Sequence, residues 1–353
     1  MKSAFTHLGK GDGLMPRGLT ANEQYYRRTI SSIGVSMLSL LLMMNITGFL
    51  LPLVTAVLEK AGASEIWSDI LYQLANAALY FLTFTIPAIL LRIMINGRGD
   101  VYHPPKTDLR LSRYLPAFVL GGIFLIYVQS SINAALVSVF DYASFSEQVL
   151  WGEEELLGYG VVLKFITMAL VPAFCEEFLF RGAILTNLLP FGKTGAIMIS
   201  SLLFAMMHQN AEQVLYTFAA GILLGVLYEK TGSIWNCVFL HLMNNFSSLV
   251  MIILAKSLHH DAEISSTLAV LLMCLVCGIG VVFLVRFLSL KKEGFEDGIF
   301  EKSYPEAESF TTCKLEAGRS VSLFFALPMI LFLALSVAQM ITLIWMAVTY
   351  QYV

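Results

Sequence analysis

The sequence predicts an all-α fold, a polytopic transmembrane helical bundle of eight or nine spans with a four-helix catalytic core, and three observations point to it. Of 353 residues, 57% are hydrophobic and only 13% are charged. The mean hydropathy is +0.74, which is far more apolar than a soluble domain of this size needs. The apolar residues also collect into runs that reach, or nearly reach, the roughly 20 helical residues needed to cross a hydrocarbon core of about 30 Å. Finally, the basic residues collect in alternate connections between these runs. A net charge of -3 is too close to balance to imply a nucleic-acid partner, and none is expected.

The runs cover approximately 30–57, 69–95, 114–140, 157–190, 194–210, 212–228, 233–255, 266–288 and 321–349. The first follows a polar tail, 1–29, and is too long for the core of a signal peptide, so it is expected to remain as an anchor. The fifth and sixth are short and are separated by little more than Gln209, Asn210 and Ala211. A tight turn between two spans and a re-entrant pair both fit that pattern, which is why the count is eight or nine.

With nine spans, Lys2, Lys10, Arg17, Arg27 and Arg28 fall on the same side as Arg92, Arg98, Lys106, Arg110 and Arg113. Arg286, Lys291, Lys292, Lys302, Lys314 and Arg319 join them there. The positive-inside rule makes that side cytoplasmic and puts the N-terminus inside. The opposite connections carry only Lys60 and Lys256 as basic residues, and Glu147, Glu153, Glu154 and Glu155 make the third connection acidic. The expected organisation is a cytoplasmic tail (1–29), three N-terminal helices (30–155), a catalytic core (156–256) and two C-terminal helices (257–353) around a cytoplasmic loop at about 290–319. The expected location of such a chain is a bacterial cell membrane, with membrane lipids as its first partners.

Five cysteines give no disulfide framework, and free thiols are expected. Cys274 and Cys277 read as small side chains in an apolar helix rather than as a redox or metal pair. Gly221 and Gly225 form a small-residue stripe for close helix packing. His259, His260 and Asp261 read as a solvated loop, and Lys164, Tyr216 and Asn236 are polar residues without an assigned place.

A charged side chain at the centre of a membrane helix costs roughly 2.5 to 3.5 kcal/mol even on insertion scales. Glu176, Glu177 and Arg181 in one apolar run therefore need a reason. At 100° per residue Glu177 and Arg181 nearly share a face and suit an ion pair, whereas Glu176 points about 100° away and is left free. Pro172, one turn upstream, removes a backbone hydrogen bond and is expected to open or bend the helix there. His208 closes the fifth run. His241 and Asn245, four residues apart, present an imidazole and an amide on one face of the seventh.

Counted at 1.5 Å per residue from the cytoplasmic face, Glu176 and His208 both lie about 22 to 24 Å deep, His241 about 12 Å and Asn245 about 18 Å. Polar residues on three helices thus fall within one slab. Two carboxylates, two imidazoles and an amide supply the parts for acyl hydrolysis. Glu176 could act as general base toward a water, with His208 holding that water and His241 and Asn245 facing the oxyanion. Alternatively, Glu176, His208 and His241 could ligate zinc, although the chain has no His-Glu-x₂-His helix to compel it. A serine nucleophile at Ser200, Ser201, Ser247 or Ser248 is the less attractive reading.

Glu-Glu-x₃-Arg at Glu176, Glu177 and Arg181, then Phe-x₃-His ending at His208, then His-x₃-Asn at His241 and Asn245, resembles the type II CAAX prenyl endopeptidases and bacteriocin-processing enzymes of the CPBP or ABI family. The resemblance covers about Leu156 to Lys256. It implies an intramembrane endopeptidase, with Glu176 as base beside His208, His241 and Asn245 at the oxyanion, and Glu177 and Arg181 as structural support. It leaves both a metalloprotease and a metal-free glutamate mechanism open. The implied substrate is a membrane-associated or lipidated peptide or protein near the cytoplasmic leaflet. The competing expectations are a catalytically silent immunity or scaffold protein and, less favoured for want of inverted repeats, an ion-coupled transporter.

Overall fold

The computed structural model of the chain describes residues 19–105, 107, 109, 111–112, 115–140, 159–211, 213–257, 315 and 319–350, with isolated positions between 271 and 286. The polar tail before residue 19, the acidic third connection, His259, His260, Asp261, all of Cys274, Cys277 and Cys313, almost all of the eighth run and nearly all of the 290–319 loop lie outside the described residues.

The described residues form a bundle of helices and contain no strand. In chain order these are α1 (Ala21–Lys60), α2 (Glu65–Gly97), α3 (Leu115–Phe140), α4 (159–191), α5 (Lys193–Met207), α6 (Val214–Thr231), α7 (Ile234–Ser257), α8 (Arg319–Phe324) and α9 (Leu327–Tyr350). Helices α1, α2, α6 and α9 are each long and apolar enough to cross a membrane. At 1.5 Å per residue, α5 and α6 are about 22 and 27 Å long. They are two separate helices joined by a turn at 208–213, in which Gln209 takes a positive φ of 53°. A side chain with a Cβ rarely adopts that conformation, and its position beside His208 puts local backbone cost next to the site.

Helix α1 begins at Ala21, nine residues before the first apolar run. The reason is local: Thr20 and Glu23 form a reciprocal capping box, which satisfies donors at the helix start and lets the polar residues of the tail join the helix. Its first half is buried and its second half exposes Leu42, Phe49, Leu53 and Val57, as a helix does where only lipid surrounds it. The buried half grips α2 through the Ser36 hydroxyl, which donates to the Pro87 carbonyl at 2.8 Å, and further along Thr47 meets Thr83 of α2, their hydroxyls 2.9 Å apart. At Gly34 the backbone of α9 comes so close that a Cβ would lie 2.6 Å from the Met329 nitrogen, so only glycine permits this crossing.

The Gly221 and Gly225 stripe packs against α5, where added Cβ atoms would meet Ser201 and Ile197 at 3.0 Å. That close approach sets α6 beside the site-bearing helices α4 and α5 and brings a backbone carbonyl within reach of Arg181.

Candidate active site

Helix α4 carries the two glutamates on a short α-helical stretch, Val171–Glu177, between two π-helical stretches, Phe165–Leu170 and Phe178–Leu185. Pro172 has no N–H to donate, and the wide turn immediately before it is how the helix accommodates that loss. The second wide turn closes with the Thr186 N–H donating to the Arg181 carbonyl, which also accepts from the Thr186 hydroxyl at 2.8 Å. The interruption expected at Pro172 thus takes the form of π turns on both sides of the glutamate pair, a feature often found at functional sites.

Arg181 and Glu177 meet as the four-residue spacing suits. Arg181 Nη1 donates to Glu177 Oε1 at 2.8 Å, and neither residue is exposed. Arg181 Nη2 donates to the Gly221 carbonyl at 3.1 Å, and its guanidinium lies 4.6 Å over the Phe204 ring. Three helices therefore hold one cation. The same Glu177 Oε1 lies 2.7 Å from His241 Nδ1, so the carboxylate bridges arginine and imidazole.

Glu176 makes different contacts. Its Oε1 accepts a hydrogen bond from the Tyr80 hydroxyl of α2. Its Oε2 is buried, has no hydrogen-bond partner among the described residues, and lies 3.8 Å from His241 Nε2. That gap is too long for a direct hydrogen bond and short enough for one water to touch both atoms. His241 is therefore held between the two glutamates. Depth counting left it about 10 Å shallower than Glu176, and the packing of α7 against α4 removes that offset.

The partners of the two histidines fix their tautomers. His208 Nδ1 is 2.8 Å from the Phe204 carbonyl, an oxygen that can only accept, so Nδ1 carries the proton. His241 Nδ1 faces an arginine-paired carboxylate and carries its proton for the same reason. With Nδ1 so committed, Nε2 is the nitrogen of each ring left to face the site. The Phe204 ring joins the two, with centroids 5.0 Å from His208 and 5.8 Å from His241.

Asn245 is half-buried on α7 and has no hydrogen-bond partner among the described residues, which leaves its amide available. Its neighbour Asn244 is buried, with its Oδ1 unpartnered among the described residues, and packs so tightly on Gly122 of α3 that no Cβ would fit there. The four serines near the site all donate to backbone carbonyls, Ser200 to Phe180, Ser201 to Ile197, and Ser247 and Ser248 to Asn244. Asn236 accepts from the Ser112 N–H at 2.7 Å and so ties the connection after α2 to α7.

Glu176, His208 and His241 are the donor types zinc prefers. Among the described residues, however, no three His, Cys, Asp or Glu side chains converge as an ion would require, so the donors as placed do not form a metal cage.

Tyr80 is the site residue that sequence reasoning missed. It is one of fourteen tyrosines, 96 positions before Glu176, and no spacing links the two. It stacks on Phe84 with centroids 4.8 Å apart, and Phe84 lines a groove of about 310 Å³ between α2 and α4. The groove is mostly apolar, with Phe174 and Phe178 on one wall and Arg92 and Tyr102 at one end.

The Type II CAAX prenyl endopeptidase Rce1-like family matches residues 158–247, a segment that contains Glu176, Glu177, Arg181, His208, His241 and Asn245 but not Tyr80. The chain is also 32% identical over 195 residues to the "Putative membrane peptidase YdiL" of Bacillus subtilis (strain 168), covering 54% of this chain and 72% of that protein. No solved structure matches it. The helical bundle, the ordered motifs within the matched segment and the extent of the match to that relative agree: this chain is an integral membrane protein of the CPBP family of intramembrane proteases.

Proposed function

We propose that the protein is an endopeptidase in which Glu176 activates a water to attack the peptide carbonyl of a membrane-associated or lipidated substrate near the cytoplasmic leaflet. The observation that carries this reading is the buried, unpartnered Glu176 Oε2 facing His241 Nε2 across 3.8 Å. A water in that gap gives one proton to Glu176 as its oxygen bonds the carbonyl carbon. The developing oxyanion takes a hydrogen bond from the free Asn245 amide. His241, held at Nδ1 by Glu177, keeps its Nε2 beside Glu176 and the reacting carbonyl. His208, within electrostatic range of Glu176, holds the water or relays its proton. Collapse of the tetrahedral intermediate breaks the C–N bond, and the proton on Glu176 passes to the leaving amine.

Glu177 and Arg181 hold this geometry, and the apolar groove beside Tyr80 accepts the apolar part of the substrate. The alternation of basic connections supports a cytoplasmic N-terminus and a site that opens to the cytoplasmic side of a cell membrane.

The test is cleavage of a library of quenched fluorescent peptides by purified full-length protein. Glu176→Gln is expected to lose at least about 10³-fold in kcat/KM, and His208→Ala about 10²-fold or more. Equal cleavage by wild type and Glu176→Gln would overturn the mechanism. Loss of wild-type activity with a chelator, restored by zinc, would transfer the water to a metal. Absence of cleavage of any peptide would favour the immunity or scaffold reading.

A further inference from the structure

We infer that Tyr80 is a positioning residue for the hydrolytic glutamate, contributed by a helix outside the segment that carries the family's motifs. The inference rests on the proposed role of Glu176 and adds a requirement to it. The terminal torsion of a glutamate is soft and roughly two-fold, so a carboxylate without fixed partners presents either oxygen to its neighbours. In this site the selection is made at Oε1, which accepts the Tyr80 hydroxyl. With Oε1 occupied, Oε2 is the oxygen left facing His241 Nε2. Arg181 does not make that selection: its Nη1 donates to Glu177, its Nη2 to the Gly221 carbonyl, and its Nε to no group among the described residues.

Tyr80 is itself well placed for the task. Its ring stacks nearly parallel on Phe84, with an interplanar angle of 25°, and Phe84 is buried against the wall of the groove between α2 and α4. The Thr83 hydroxyl donates to the Leu79 carbonyl one residue before Tyr80 and contacts Thr47 of α1, which anchors this turn of α2 to its neighbour. The hydroxyl thus reaches the glutamate from a braced position. A charge-assisted hydrogen bond of this kind is stronger and more directional than a neutral one, which suits it to fixing an orientation. The groove wall and the base are thus joined through one stacked pair, Phe84 lining the groove and Tyr80 holding the glutamate.

The experiment compares wild type, Tyr80→Phe, Thr83→Val and Glu176→Gln as full-length protein, using the peptide that wild type cleaves best. Tyr80→Phe removes one oxygen and keeps the ring. Its kcat is expected to fall about 10- to 100-fold with KM within about 3-fold of wild type, since it touches the reaction through Glu176 and not through substrate binding. Thr83→Val loosens the same turn of α2, which does not line the groove at this position, and keeps the Tyr80 hydroxyl, and its kcat is expected to stay within about 3-fold. A Tyr80→Phe kcat within about 2-fold of wild type overturns the inference, as does an equal loss in Thr83→Val, which would assign the effect to packing. Full activity in Glu176→Gln overturns the glutamate mechanism itself, and an inactive Glu176→Gln beside an unimpaired Tyr80→Phe overturns only the role of Tyr80.

Discussion

Two arginine–carboxylate pairs of almost equal length lie in different surroundings in this protein. Arg181 and Glu177 are 2.8 Å apart at the centre of the bundle, with side chains 1% and 0% exposed. Arg28 and Asp100 are 2.9 Å apart, near the start of α1 and just past the end of α2, with side chains 23% and 10% exposed. The central pair is embedded in a network: the carboxylate also holds His241, and the guanidinium also holds the Gly221 carbonyl and the Phe204 face. The outer pair is supported by Arg98, which donates to the Arg28 carbonyl at 2.8 Å. Burial still raises the Asp100 carboxyl above its ordinary value in spite of both arginines, so this pair does not offset the loss of water around the acid. The difference teaches that contact distance says little about what an ion pair does. The central pair orients a site and is costly to break, and the outer one fastens two helix ends with little net stability.

Breaking the central pair from one side should have the largest effect. Arg181→Met leaves Glu177 buried without its cation and is expected to cost about 3–5 kcal/mol, seen as a lower unfolding midpoint in detergent. A midpoint equal to wild type would remove the contrast between the two pairs. The double change Glu177→Gln with Arg181→Met sharpens it further. Stability should recover by roughly 1 kcal/mol or more relative to Arg181→Met alone, because no charge is left unpaired. Peptide cleavage should stay at least about 10-fold below wild type, because His241 has lost the carboxylate that fixes its proton. Recovery of both would show the pair to be structural only.

Asn187 offers an intermediate case. Its amide donates to the His103 and Ala183 carbonyls and accepts from the His103 N–H, pinning the connection after α2 onto α4. Asn187→Ala should cost about 1–3 kcal/mol through backbone groups left unpaired, with proteolytic nicking near residues 101–105 as a second readout.

The smallest effect belongs to the outer pair. Asp100→Asn should change stability by less than about 1 kcal/mol. Its sign follows from the raised carboxyl. Folding favours the protonated acid, so the contribution of Asp100 is fully present below its unfolded value and is lost as pH rises through the folded one. The asparagine variant should therefore gain on wild type as pH rises across the carboxylate range, and a loss growing with pH would show that Arg28 does outweigh burial.

Much of the architecture was legible because a bilayer imposes long apolar runs, and the helices found at 21–60, 65–97 and 327–350 contain or nearly contain predicted ones. Helix limits were less legible. The capping box at Thr20 and Glu23 extends α1 into the polar tail, and the turn at 208–213 divides what hydropathy left ambiguous. Within the site, the four-residue spacing of Glu177 and Arg181 already implies their contact, since it depends only on helical pitch. The same pitch separates Glu176 from that pair.

What the sequence determined by itself is therefore whatever one helix can encode: the apolar spans, the charged residues too costly to lack a purpose, and the phase that sets Glu176 apart from Glu177. The tertiary structure decided what depends on distances between helices. It put His241 between both glutamates, fixed the protons on two imidazoles through the carbonyl and carboxylate they face, and brought Tyr80 of α2 onto Glu176. No helical period carries that information, because it arises from crossings such as Gly34 on α9 and Gly221 on α5, where a missing side chain sets how closely two helices approach.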